Sequence, residues 1–262
     1  MPDDQRYLSL VLEPIRICRN YRPKFGHGAG YSLRQFKELY RADPFYTWFG
    51  LDSPLMYTAH RAAGGMTSIY RQIGIGCQHL FQQLLIDHLG LSTEQASWFY
   101  LIDAGMGKPR RLSLDARIEL SAITQAKTRS RVARWLRAAA NELGVDPGIQ
   151  GLLKGSVFEV RQGYKSKDSK RQQADLANAS AAYASAYLPT VLLLSTQIDD
   201  DIAERYQNAR WLILRGSTGG SATSSTYTFC REVIGYDLAA FFERNSRRLK
   251  LEVESVLRDL LK

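Results

Sequence analysis

The segment at residues 189–198, PTVLLLSTQI, opens on an almost uninterrupted apolar run. Such a run reads as a strand in the middle of a sheet, because neither set of alternating side chains is left for water. RWLILRG at 210–216 repeats the pattern more briefly. SVFEVR at 156–161 gives a third strand, in which Val157, Glu159 and Arg161 alternate with Ser156, Phe158 and Val160. Between the three lie two helical segments, an Ala- and Ser-rich one at 168–188 and DDDIAERYQNA at 199–209. The order strand, helix, strand, helix, strand implies right-handed crossovers and a mostly parallel sheet.

Ahead of this unit the periodicity is helical. A short amphipathic helix is expected over 5–20, with Leu8, Val11, Leu12 and Ile15 on one side, and Ser32 caps a second. DPFYTWFGLDSPLMY at 43–57, dense in aromatics and broken by proline and glycine, reads as an irregular cap over a core. After Gly64 and Gly65, the residues Ile69, Ile73, Cys77, Leu80, Phe81, Leu84 and Leu85 mark a long helix over about 67–88. Gly74 and Gly76 inside it suggest close approach by a neighbour. Ser92 with Gln95 resembles a capping box opening a helix through Leu101. Leu114, Ile118, Val132, Leu136, Ala139 and Leu143 extend the helical reading across 105–143. The expected fold is therefore α/β, a central mixed sheet flanked by helices. A mainly helical region over 1–104 precedes an α/β core with C-terminal helices over 105–262.

Charge narrows the partners. The chain carries 35 Lys and Arg against 26 Asp and Glu, a formal net charge of +9, which favours encounter with phosphate-rich molecules. Between 105 and 137 the bases Lys108, Arg110, Arg111, Arg117, Lys127, Arg129, Arg131, Arg134 and Arg137 face only Asp115 and Glu119. So few acids cannot pair most of them within their own helix, and the stretch reads as a phosphate-facing surface, or else as a solvated face or one bridged to acids elsewhere. A second cluster, Lys165, Lys167, Lys170 and Arg171, leads into the helix after Glu159, where cations oppose the helix dipole unless an anion compensates. Gln172 lies beside it. Further on, GSTGGSATSSTYTF at 216–229 is a long hydroxyl-rich loop that either reads DNA together with Arg215 or is a mobile crossover.

Several classes are set aside. Cys18, Cys77 and Cys230 are too few and too scattered for a disulfide framework or a zinc knuckle. The first residues hold acids where a secretion signal needs bases, and no apolar segment approaches the ~20 residues of a membrane span. A cytoplasmic protein without a membrane segment is expected. There is no GxSxG elbow, no HExxH and no Walker loop, and His27, His60, His79 and His88 are scattered, with His79 close to the expected core side.

Glu159 is the residue with chemistry. Its side chain and that of Arg161 leave the same face of their strand. A carboxylate there either ion-pairs or holds a divalent cation against a phosphodiester, and hydrolysis of that bond needs such a cation to stabilise developing charge and activate water. At this point the stretch SVFEVRQGYKSKDSKRQQAD, followed by a helix and VLLLSTQ, resembles the PD-(D/E)xK nuclease superfamily, in particular type II restriction endonucleases. The resemblance implies a restriction-endonuclease-like core, magnesium as cofactor, double-stranded DNA as substrate and a homodimer. It makes Glu159 the second metal-binding acid and puts Arg161 where lysine is usual, with Lys165 or Lys167 able to fold back into that place. Asp146 is the best-spaced candidate for the first metal-binding acid, and Glu119 is the candidate for a supporting upstream glutamate. Lys165, Lys167, Lys170, Arg171, Gln172, Arg110, Arg111 and Arg215 become the DNA-contacting set. The main alternative, prompted by arginine in place of lysine and by the lack of a plain PD strand, is a catalytically reduced DNA-binding or nuclease-accessory protein. An unrelated α/β enzyme or an RNA-acting protein is the remaining reading.

Overall fold

The computed structural model describes residues 2–25, 29–103, 109–163 and 169–261. The first half comprises α1 (Pro2–Arg16), α2 (Leu33–Arg41), α3 (Pro44–Trp48), α4 (Pro54–Leu89), α5 (Thr93–Ala96), β1 (Trp98–Asp103), β2 (Pro109–Leu114) and β3 (Ala116–Glu119). There follow α6 (Ala126–Glu142), α7 (Pro147–Gln150), β4 (Gly155–Arg161), α8 (Ser169–Ala184), β5 (Tyr187–Leu193), α9 (Asp200–Asn208), β6 (Leu212–Leu214), α10 (Thr226–Phe229) and α11 (Leu238–Leu261). The architecture is mixed α/β, with a central sheet flanked by helices. The chain divides into two compact units, residues 1–76 with 244–262, and residues 77–243. The expected boundary at 104/105 falls instead between β1 and β2, which pair along their whole length.

The first unit is helical. α1 buries Leu8, Val11, Leu12 and Ile15, the stripe read from the sequence, together with Tyr7, and starts at Pro2 because Asp3 and Asp4 suit its first turn. The reciprocal Ser32–Gln35 bonds form a full capping box on α2. α4 begins at Pro54, well ahead of the expected residue 67, so Gly64 and Gly65 do not break it. They make room: a Cβ on Gly64 would lie 2.0 Å from the Tyr21 hydroxyl oxygen, and one on Gly65 2.7 Å from Leu260 Cδ1. Gly76 likewise lets the α1 backbone approach, since its Cβ would stand 2.9 Å from Val11 Cα, whereas Gly74 meets nothing. The aromatic segment is not a cap over a core. Phe45, Trp48, Phe49 and Leu55 are exposed, Trp48 by 79%.

Glu252 on α11 links three helical turns of this unit. It accepts from Arg16 at 2.9 Å and Arg19 at 2.6 Å, with only 13% of its side chain exposed. The hydrogen bond from Arg16, reinforced by the charges of both arginines, holds its carboxyl below the usual glutamate range. A depressed folded-state pKa contributes stability that is complete above the unfolded value near 4.3 and is lost as pH falls through the folded value. Glu252→Gln is therefore expected to lower stability by about 1–2 kcal/mol at pH 7. Denaturation midpoints of mutant and wild type should converge as the pH is taken below 4; a constant gap would remove the carboxylate from the explanation.

The second unit is built on the four-stranded sheet β3-β4-β5-β6, with β3 antiparallel to β4 and the other pairs parallel. β4, β5 and β6 are the three strands of the sequence reading, and α8 and α9 are the helices between them. β5 is buried at every position, as an apolar run on both faces requires. Ser156, Phe158 and Val160 point to one face. There Phe158 packs against Phe81 of α4, Trp135 of α6 and Phe229 of α10, with ring centroids 5.2, 6.2 and 5.7 Å away. Val157, Val191 and Leu193 point to the other, where Ala179 and Ala182 of α8, Ile202 and Tyr206 of α9, and Trp98 and Leu114 complete a second core.

Two helical readings fail here. The capping box of Ser92 and Gln95 forms, but its helix ends after one turn at Ala96, and residues 98–103 pair with 109–114 as an antiparallel ribbon. Residues 116–119 then join the main sheet. Leu112, Leu114, Ala116 and Ile118 recur every second residue. Leu114 and Ile118, four apart, satisfy a strand and a helix alike, and tertiary pairing with β4 decides between them. His79 is exposed rather than near the core.

Candidate active site at the carboxyl end of the parallel strands

Open α/β sheets present chemistry beyond the carboxyl ends of their parallel strands, where connections part. In this sheet that end is formed by Glu159 and Arg161 on β4, Leu193 and the following residues on β5, and Arg215 after β6. The antiparallel register of β3 brings in one more residue. Ala116 pairs with Phe158 at the end of the β3–β4 ladder, and Asp115 lies just beyond it, at the bend. Its N–H donates to the Phe158 carbonyl at 2.8 Å, and its Oδ2 accepts from the Val160 N–H at 2.7 Å. The half-buried Asp115 thus occupies the bend between β2 and β3, where its carboxylate takes over a backbone partner of β4.

Glu159 Oε1 accepts from Arg161 Nη2 at 2.9 Å, with 15% and 9% of the respective side chains exposed. Two residues apart on one strand, both point to the α8 side of the sheet, the face of Val157 and Val191. So complete a burial is costly for a lone charge, and the pair offsets it.

The other expected site residues lie elsewhere or outside the described residues. Asp146 is the N-cap of α7, its Oδ1 accepting from the Gly148 N–H at 2.8 Å. The carbonyl of the nearby Gly144 accepts from Arg210, which just precedes β6, at 2.7 Å. That is the end at which the parallel strands begin. Glu119 is paired with Gly155 at the same end, four residues or roughly 13 Å along β4 from Glu159. Its carboxylate accepts from Tyr187 at 2.9 Å and from Ser121 at 3.0 Å. The structure brings neither to Glu159. Lys165 and Lys167 lie outside the described residues. Lys170, Arg171 and Gln172 fall in the first turn of α8, and Arg110 falls on β2 opposite Ile102. Arg111 is exposed on the outer face of the ribbon, its guanidinium 3.8 Å from the centroid of the exposed Phe99 ring.

Arg215 does stand at the Glu159 end, and the hydroxyl-rich loop after it is no mobile crossover. The Arg215 N–H donates to the Ser224 carbonyl at 2.9 Å, and Thr226 Oγ1 donates to the Leu193 carbonyl at 2.7 Å. Ser225 Oγ donates to Ser217, and Tyr227 to the Leu194 carbonyl at 2.8 Å. Burial pushes the Tyr227 phenol up to about 12, so that donor persists through the neutral range. At Gly216 the loop passes so close to β5 that a Cβ would lie 2.1 Å from the Leu194 carbonyl oxygen. Only glycine fits there.

Sequence reasoning missed Asp115. The signal was the period-two pattern of LSLDARIE, which makes Asp115 the residue at a strand bend. Among the described residues, no group of three or more His, Cys, Asp and Glu is arranged to hold a metal ion. Magnesium is commonly held by one or two carboxylates with waters and substrate phosphates completing its shell; here Asp115 bonds the Val160 N–H and Glu159 bonds Arg161. Among the described residues no helix is long and apolar enough to cross a membrane. No protein-family model, curated protein or solved structure matches the chain.

Proposed function

We propose that the protein is a magnesium-dependent, sequence-specific endonuclease of double-stranded DNA, of the type II restriction kind, with a PD-(D/E)xK-like core. The observation that carries this reading is the Asp115 carboxylate bonded to the Val160 N–H, next along β4 from Glu159 and its cation partner Arg161, at the carboxyl end of the strand. In this reading Asp115 takes the place of the first acid, Glu159 is the second, and Arg161 stands in the lysine position. Magnesium held there would stabilise charge on the phosphate and lower the pKa of an attacking water. Arg161 keeps its proton throughout, so its part is electrostatic: it holds Glu159 in place and offsets negative charge beside the scissile phosphate. Arg215 at the same sheet end and Arg111 on the ribbon would meet the DNA backbone. A palindromic target would call for two copies of the chain, to be checked by light scattering with and without DNA.

The test is incubation of plasmid DNA of varied sequence with the protein and magnesium. Discrete fragments are expected; a smear would mean cleavage without sequence choice, and intact plasmid would end the enzymatic reading. One observation favours a catalytically reduced DNA-binding protein instead, namely the mostly buried Glu159–Arg161 pair, which occupies the carboxylate that magnesium needs. Arg161→Lys separates the two. In an enzyme built around the arginine, cleavage should fall about tenfold and survive, since charge is kept and the planar fork lost. In a reduced protein, the wild type should not cut and the lysine variant should begin to.

A further inference from the structure

α6 packs on the face of the sheet opposite Glu159. Its inner side buries Thr128, Val132, Trp135, Leu136, Ala139 and Ala140, and Trp135 stacks on Phe158 at 6.2 Å while donating from its indole to the Ala222 carbonyl at 2.8 Å. Phe158 and Glu159 are neighbours on β4 and point to opposite faces. Whatever meets Glu159 therefore does not meet the outer side of α6.

That outer side has an unusual composition. Lys127, Ser130, Arg134, Arg137 and Asn141 are all exposed and recur at intervals of three and four, which aligns them along one stripe. Every one can donate hydrogen bonds, and none is acidic. α6 holds Lys127, Arg129, Arg131, Arg134 and Arg137 against Glu142, five cations less one anion, a net +4. Arg131 is spent inside the fold, donating to the carbonyls of Val233 and Ile234 at 2.9 and 3.2 Å, and Arg129 donates to the Ile123 carbonyl at 3.2 Å. Lys127, Arg134 and Arg137 have no acid within ion-pair distance among the described residues. Elsewhere exposed arginines of this chain do find acids, Arg258 with Glu254 and Arg244 with Asp4. A helix face kept free of acids over this length suits a partner that supplies the negative charge in a row.

We infer that the outer face of α6 is a second docking surface for double-stranded DNA, separate from the Glu159 site, which holds the phosphate backbone without reading bases. From Lys127 to Arg137 the stripe runs about 15 Å at 1.5 Å per residue, against one phosphate per ~3.4 Å of axis on each strand. Three cations can thus each meet a backbone phosphate of one duplex. The inference rests on this geometry and charge, and it holds whether or not Glu159 supports cleavage.

The test is the triple substitution Lys127→Gln, Arg134→Gln and Arg137→Gln, at positions exposed enough to leave the fold intact. Binding of a fluorescent duplex is measured in calcium across a salt series. Each released phosphate contact contributes about −0.9 to the slope of log K against log salt, so the slope should flatten by about 2–3 and low-salt affinity should fall. The control triple Arg244→Gln, Arg258→Gln and Arg34→Gln should leave the slope nearly unchanged. An α6 variant with wild-type slope and affinity would overturn the inference. So would a loss equal to that of the control, which would reduce the effect to net charge. A binding loss seen only with an acidic protein, and not with DNA, would assign the face to a different partner and also overturn it. Plasmid cleavage in magnesium, followed in parallel, separates this surface from the proposed active site: its absence in the wild type would sink the nuclease reading while leaving the α6 result to stand.

Discussion

Glu159→Gln is expected to reduce magnesium-dependent DNA cleavage by ~10³-fold or more, because a metal-binding carboxylate supports several kcal/mol of charge stabilisation and each ~1.4 kcal/mol is a factor of ten. Duplex binding in calcium should stay close to wild type, since backbone contacts come from cations elsewhere. The neutral amide keeps an oxygen for Arg161 but removes the charge that offsets the guanidinium, buried with it at 2.9 Å, so a stability loss of about 1–3 kcal/mol should accompany the effect. Asp115→Asn is the cleaner companion. Its amide oxygen can still accept from the Val160 N–H, as the carboxylate does at 2.7 Å, so the substitution removes charge while keeping the bend. Loss of cleavage in both variants, with folded protein and retained binding, identifies the pair as one metal site. Full cleavage by either would exclude that carboxylate, and collapse of fold and binding together in the Glu159 variant would make it a structural ion pair.

Phe158→Ala should destabilise the second unit by about 3–5 kcal/mol, the range for emptying a large aromatic side chain from a packed core. Phe158 is fully buried among Phe81, Trp135 and Phe229, which come from three helices, so no single movement can fill the gap. Domains of this size have total stabilities of about 5–15 kcal/mol, and the variant should melt many degrees lower. Phe158 has no contact with DNA in the proposed reading. Its cleavage at low temperature should thus remain while its denaturation midpoint falls; an unshifted midpoint would mean that the aromatic cluster is not the keystone of that face.

The crossover half of the sheet was legible because its signals are redundant. Residues 191–194 are apolar throughout, acids open the helix after residue 198, and strands recur at the spacing that parallel pairing requires. The antiparallel half was not. Trp98–Asp103 follows a genuine capping box, and a cap states where a helix begins but not how long it lasts. LSLDARIE carries Leu114 and Ile118 at a spacing common to both periodicities, and the many arginines around it drew the reading toward a basic helix. Reading that strand as helix left Asp115 unconsidered, and the resemblance made Asp146, by its spacing, the candidate first acid and Glu119 the supporting glutamate. Glu159 and Arg161 could be read on one face because alternation in a strand is local. Whether Glu159 pairs with Arg161 or stays open to a cation could not, since rotamer and burial are set by the packing on that face.

Asp115 and Glu159 are 44 positions apart along the chain, and α6 and α7 fold between them. Closing a loop of that length precedes any reward from the contact, so pairings of this kind form late. A growing polypeptide released as far as residue 150 holds one acid of the pair and not the other. In the proposed reading, the two acids come together only when the third strand docks on the fourth.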